Sequence, residues 1–264
     1  MTTPTTLEVL RPSAQVAEVW LNRPDVRNAF NDGVIRELTD TFRMLSADQA
    51  LRVVVLGGRG KAFCAGADLA WMRAMADYDW EANRQDAQAL AEMLWTIWRC
   101  PVPVIGRIHG DCYAGGVGLA AVCDILVAAD VAGFCLSEAR LGLLPATIGP
   151  YVVRALGEQA SRRWFVTAER FIAVQAQALG FVHAVCTLDE IDAKVGELVQ
   201  AIVANGPAAV RACKRLVQEV AHREIDAGLR DDTARRIADI RASAEGKDGV
   251  QAFLHKRPPG WLPQ

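Results

Sequence analysis

The stretch YAGGVGLAAVCDI, Tyr113 to Ile125, places Gly115, Gly116 and Gly118 within four positions and carries one charge, Asp124. Glycine at that density lets the backbone approach a ligand or another chain segment closely. Three uses fit: a loop cradling phosphate, a turn aiming N–H groups at an oxyanion, or a helix start that packs tightly. The neighbours narrow the choice. PVIGRI (103–108) precedes the glycines and CDILVAA (123–129) and GFCLS (133–137) follow; all three read as short buried strands.

Further out, the first half alternates strand and helix patterns. TLEVL (6–10) and VAEVWL (16–21) read as neighbouring strands with RPSAQ (11–15) as their turn. FNDGVIRELTDTFRML (30–45) has Val34, Leu38, Phe42 and Leu45 at helical spacing, with Asn31 and Asp32 as caps. LRVVVLGG (51–58) is a β-branched run ending in glycines. WEANRQDAQALAEMLWTIWRC (80–100) is a long amphipathic helix stopped by PVP. From about Gly149 onward the pattern is almost all helical. An α/β core followed by a helical region is the expected fold class.

Composition excludes several classes. Lys and Arg number 29 against 31 Asp and Glu, a formal charge of −2, so no global field draws nucleic acid or an anionic membrane. The N-terminal residues lack a basic segment followed by an apolar one, and no apolar run is long enough to span a bilayer. Seven cysteines, an odd number without a C-x-x-C pair, suit reduced thiols in the cytoplasm. Four scattered histidines and no Cys/His cluster give no reason to expect a metal.

Two phosphate motifs fail on inspection. GGRGKAF (57–63) has the wrong glycine spacing for a P-loop, and Ala62 replaces the hydroxyl residue. Gly116-Val-Gly118-Leu-Ala-Ala121 fits G-x-G-x-x-A with Glu138 twenty residues beyond Gly118, but HGDCYAG separates it from PVIGRI. The dinucleotide fingerprint needs the glycines directly after the strand. The remaining reading pairs FCAGADL (63–69) with YAGGVGLAA (113–121). Both are small-residue turns that open helices, and each can point a backbone N–H at one oxygen. Close packing explains small residues equally well, and the residues alone do not decide between the two.

These segments resemble the crotonase, or enoyl-CoA hydratase/isomerase, superfamily. LNRPDVRNAF (21–30), GKAFCAGADL (60–69), PVIGRIHGDCYAGGVGLAAVCDI (103–125), FCLSEARLGLLPATIGP (134–150) and EGKDGVQAFLHKRP (245–258) follow that family's order and spacing. The resemblance implies a spiral of ββα units over residues 1–200 holding the CoA and acyl site. Residues 201–264 would be a helical region completing the site and the contacts of a trimer or hexamer. The ligand would be an acyl-CoA thioester, with no cofactor beyond the CoA it carries.

The resemblance also assigns roles. The N–H groups of Ala67 and Gly115 would form the oxyanion hole. Val26, Arg27, Ala29, Ala65, Asp68 and Leu69 would hold pantetheine and adenine, and Phe253 and Lys256 would approach the adenine and phosphates, unless Lys256 is a solvated surface charge. Hydratases of this family often use two glutamates. Glu138 matches the second, and Gly118 stands where the first would be. The detail of GGVGLAAVCDI and SEARLGLLPATIGPYVVRALGE is most similar to bacterial methylglutaconyl-CoA and isohexenylglutaconyl-CoA hydratases, of leucine and acyclic terpenoid breakdown. Gly118 would then enlarge the pocket beside the β-carbon. The implied activity is addition of water to a branched 2,3-enoyl-CoA with Glu138 as acid and base. Double-bond isomerisation by Glu138 alone, or a non-catalytic CoA- or RNA-binding role, are the other readings. Trp71 and Met72 would wall the acyl pocket or join the core.

Overall fold

β-branched residues and buried glycines at 53–58 produce the central strand of the larger of two sheets. A computed structural model describes residues 5–262. The large sheet holds β1 (Leu7–Ser13), β2 (Val16–Leu21), β3 (Val53–Gly58), β5 (Val104–Ile108), β7 (Ile125–Ala129) and β10 (Ala184–Cys186), in the spatial order β1-β2-β3-β5-β7-β10. Only the β1–β2 pair is antiparallel. A second sheet, β4-β6-β8-β9, comprises β4 (Ala62–Cys64), β6 (Asp111–Tyr113), β8 (Gly133–Cys135) and β9 (Arg170–Ile172). A strand of the large sheet thus leads three times into a strand of the small one and then into a helix: β3–β4, β5–β6 and β7–β8. Parallel neighbours require such crossovers, and their repetition winds the chain into a spiral of ββα units.

The helices of the first two turns are α1 (Asp32–Ala47), α2 (Leu69–Ala76), α3 (Trp80–Trp98) and α4 (Gly115–Ala121). α1 starts where the sequence predicts: the Asn31 side chain accepts from the Val34 N–H, and Val34, Leu38, Phe42 and Leu45 are buried. Phe63, Phe134, Phe171 and Phe181 fill the space between the sheets and helices, with the Phe134 and Phe171 rings stacked at 5.4 Å. Val53, Val55, Ile105 and Val127 face the other way and meet Ile191 and Val195.

The helical region follows: α5 (Gly149–Leu156), α6 (Glu158–Thr167), α7 (Ala173–Ala178), α8 (Ile191–Ala204), α9 (Pro207–Val220), α10 (Ala227–Ala242) and α11 (Ala244–Leu254). α8 runs through residue 200 and packs on β3, β5 and β7. α9 has no fully buried residue and is held differently. Arg211, Lys214 and Gln218 lie on one face at spacings of three and four. They donate to the carbonyls of Leu51 (3.0 Å), Val102 (3.1 Å) and Trp98 (2.8 Å). Lys214 also pairs with Asp124 at 2.6 Å, its side chain only 6% exposed.

Three expectations are corrected in part. RPSAQ is a turn only in its last two residues, Ala14 and Gln15: β1 continues through Pro12 to Ser13, with a register shift between Leu10 and Ser13. An edge strand tolerates proline because the missing N–H faces no neighbour. The almost wholly helical region after Gly149 also holds two three-residue strands, β9 and β10. And β6 does lead straight into the glycines of α4, so strand context does not exclude a dinucleotide there. Packing does: a Cβ on Gly116 would lie 2.5 Å from the Cys64 carbonyl oxygen, and one on Gly118 would overlap Ile148, so both motif glycines face protein. No helix among the described residues is long and apolar enough to cross a membrane.

Candidate active site

The two small-residue turns meet. Gly66 has φ +92°, and a Cβ on it would stand 3.0 Å from the Ala114 Cβ. The residues that follow leave this contact in turn, Ala67 just ahead of the Asp68 cap of α2 and Gly115 as the first residue of α4. Phe30 binds across the first turn: its N–H donates to the Gly66 carbonyl (2.6 Å), and its own carbonyl accepts from the Asp68 N–H (2.7 Å). This alternation leaves the Ala67 N–H pointing away. In the second turn the Ala114 N–H donates to the Cys135 carbonyl at 2.8 Å, and Ala114 adopts φ 48°, ψ −120°. A side chain in that region costs roughly 1–3 kcal/mol. The strain turns the chain so that Gly115 opens α4. Among the described residues neither the Ala67 nor the Gly115 N–H has an acceptor.

Glu138 is linked to the second turn through β8. It begins a 3-10 turn, Glu138–Leu141, three residues past the Cys135 carbonyl that anchors Ala114. Its carboxyl is half-buried, and Oε2 is enclosed with no hydrogen-bond partner among the described residues. Burial pushes its protonation above the ordinary glutamate range. Two free N–H groups and one desolvated carboxyl can hold an oxygen that gains negative charge while a proton moves nearby.

The other predicted positions fall into three groups. Val26, Arg27, Ala29 and Ala65 sit on loops that touch: the Ala65 N–H donates to the Arg27 carbonyl at 3.0 Å. Val26 and Arg27 are exposed, as is Leu69 at the start of α2. Asp68 is buried, and its carboxylate is already engaged: Oδ1 caps α2 by accepting from the Ala70 N–H, and Oδ2 pairs with Arg23 at 2.8 Å. Phe253 and Lys256 lie at the exposed end of α11, and neither side chain has a polar partner among the described residues. Trp71 packs against the core and donates Nε1–H to Asp86 at 3.1 Å, which favours core packing over a pocket wall. The expectation that Gly118 enlarges the pocket is corrected: Ile148, 1% exposed, fills the space beside it.

Sequence reading missed Arg23 and Asn28. Arg23 donates to the Ala29 carbonyl (2.6 Å) and to Asp68, and so ties the two loops together. Asn28, 1% exposed with a left-handed backbone, donates to the carbonyls of Arg59 and Ala62, each at 2.8 Å. Asp68, Arg59 and Ala62 lie more than thirty residues from the side chains they bind, so no local signal marks these contacts. Arg23→Ala is expected to lower stability in urea denaturation at neutral pH by about 2 kcal/mol, the loss of a hydrogen bond to a charged group. Arg23 holds the Asp68 carboxyl below its usual range, so this contribution exists above that range. The difference between parent and variant should shrink as the pH falls below ordinary aspartate values.

The Enoyl-CoA hydratase/isomerase family model matches residues 11–264. The chain belongs to this family, and it is an enzyme of the hydratase/lyase type. A solved enoyl-CoA hydratase from Shewanella pealeana superposes with a TM-score of 0.94 at 38% identity, covering 98% of this chain and 96% of that one. Pseudomonas aeruginosa AtuE gives 0.93 at 35%, covering 98% and 100%. The 2,3-dehydroadipyl-CoA hydratase of Escherichia coli is 30% identical over 93% of this chain and 94% of its own length.

Proposed function

We propose that this enzyme adds water to the 2,3-double bond of a branched glutaconyl-CoA of the 3-methylglutaconyl type, as in leucine or acyclic terpenoid breakdown. The observation that carries the reading is Glu138: a desolvated carboxyl with an unpartnered oxygen, three residues past the Cys135 carbonyl that anchors the turn of the unpartnered Gly115 N–H. In this reaction the Ala67 and Gly115 N–H groups hold the thioester oxygen. Glu138 takes a proton from water as the water oxygen bonds to C3, and the π electrons move onto the thioester oxygen as an enolate. Glu138 then gives the proton to C2 and the enolate collapses. The balance is one H and one OH added, with no cofactor or metal beyond the CoA of the substrate.

The loops at Val26–Ala29 and Ala65–Leu69 would line the CoA, with Asp68 acting through Arg23 rather than on the ligand. Phe253 and Lys256 would serve the adenine and phosphates, reaching a neighbouring subunit in a trimer or hexamer; the exposed Val250, Phe253 and Leu254 of α11 support such contacts. Seven free cysteines support a cytoplasmic setting. For the acyl group, SEARLGLLPATIGPYVVRALGE supports a branched dicarboxylic thioester, and one relative is named for a dicarboxylic acyl-CoA.

A panel of enoyl-CoAs, followed by loss of the conjugated enoyl absorbance, tests this. The kcat/KM for 3-methylglutaconyl-CoA should exceed that for crotonyl-CoA by at least about tenfold, the discrimination that a shaped pocket provides. Because this reading assigns one carboxyl, Glu138, to the chemistry, the sharp rival is isomerisation. Conversion of a 3-enoyl-CoA with no water added to any 2-enoyl-CoA would establish that rival instead.

A further inference from the structure

Gly118 lies three residues beyond Gly115, on the same face of α4. A Cβ there would stand 2.5 Å from Ile148 Cβ, closer still to Cγ2, and 3.6 Å from Cα. Ile148 has little freedom to retreat. It is 1% exposed, it precedes α5, and its carbonyl accepts from the N–H groups of Tyr151 (3.1 Å) and Val152 (3.0 Å). Its β-branched side chain is also stiff at χ1. The empty side of Gly118 is therefore occupied by hydrocarbon contributed from thirty residues away.

The charges near Glu138 are engaged elsewhere. Arg140, on the same 3-10 turn, donates to the Ala168 carbonyl, as does the Cys135 thiol of β8. Arg170 of β9 donates to the Tyr113 hydroxyl (3.2 Å) and pairs with Asp111 (3.3 Å), both on β6. Glu138 makes no ion pair among the described residues.

We propose that Ile148 is a positioning residue of this active site: it fills the volume at residue 118 and holds the site to the single carboxylate of Glu138. This rests on Glu138 as the acid–base group. The proton that Glu138 takes from water is then the one it returns to C2, and the carboxylate ends each turnover as it began. Any second acid at residue 118 requires Ile148 to be cut back.

A double-mutant cycle on the full-length enzyme tests the packing. Gly118→Ala is expected to lower Tm by about 5 °C or more, as overpacked sites do. In the Ile148→Ala background the same change should instead raise Tm by about 2 °C, since alanine suits a helix better than glycine. Kinetics test the chemistry. Gly118→Glu combined with Ile148→Ala should add a second ionisation to the pH profile of kcat, which a packing role would not do. Gly118→Asp in the same background serves if the glutamate variant does not fold. Additive Tm changes overturn the proposal, and so does an unchanged pH profile in a folded double variant. Failure of both acidic variants to fold also counts against it, because the space would be missing. Glu138→Gln with full turnover would remove the underlying reading without touching the Tm cycle, so the two failures are separable.

Discussion

Glu138→Gln is expected to cut kcat for hydration by about 10²–10⁴, the range for loss of a positioned acid–base group. Its Tm at pH 8 should equal or exceed that of the parent. Both halves follow from one cause. The carboxyl is desolvated and its Oε2 has no partner, so its charged form is disfavoured in the folded protein. Because its protonation lies above the unfolded value, the folded state binds more protons between the two. Its charge therefore lowers stability as pH rises through that window, and the neutral amide removes the penalty. The parent's hydration rate should fall on acidification through an ionisation above the ordinary glutamate range. Enoyl absorbance and thermal melts on the same preparations check both halves. A variant that lost turnover together with several degrees of Tm would point to a structural glutamate.

Lys214→Met should cost about 3–5 kcal/mol, the price of stranding one member of a buried ion pair. At ~2–4 °C per kcal/mol, Tm falls by roughly 10 °C. Asp124 is 25% exposed and accepts at Oδ2 from both Lys214 (2.6 Å) and the Val104 N–H (2.8 Å). Burial already pushes its carboxyl up, against the opposing pull of Lys214. With the lysine gone the carboxyl rises further, so the variant loses most at high pH, where the group must be charged. Adding Asp124→Asn should recover most of the loss, because the amide oxygen still accepts from Val104 and carries no charge. Melts from pH 5 to 9 read this directly, and a pH-independent deficit would contradict it.

What the residues reveal alone depends on how local the cause is. Asn31 caps α1 because its partner is three residues away, and LRVVVLGG reads as a strand because three β-branched valines head a run of six buried positions. β4, β6, β9 and β10 have three residues each, too few to show alternation; pairing with neighbours fixes them. The two turns were visible as small-residue segments, and Glu138 as a carboxylate in an apolar run. The strain at Ala114 was not, because nothing in an alanine announces a positive φ. Gly118 misled for the same reason. An absent side chain looks like space until Ile148, distant in sequence, is seen to fill it.

The polar stripe of α9 has one more consequence. Arg211, Lys214 and Gln218 all address main-chain oxygens of the core. Every amino acid supplies that oxygen, so the identities of Leu51, Val102 and Trp98 are irrelevant to those bonds. The chemical information of this joint resides on one side only, apart from the Lys214–Asp124 contact. Evolution can rewrite the receiving surface residue by residue while the helix stays docked, and a grafted tail would bring its own fastening along.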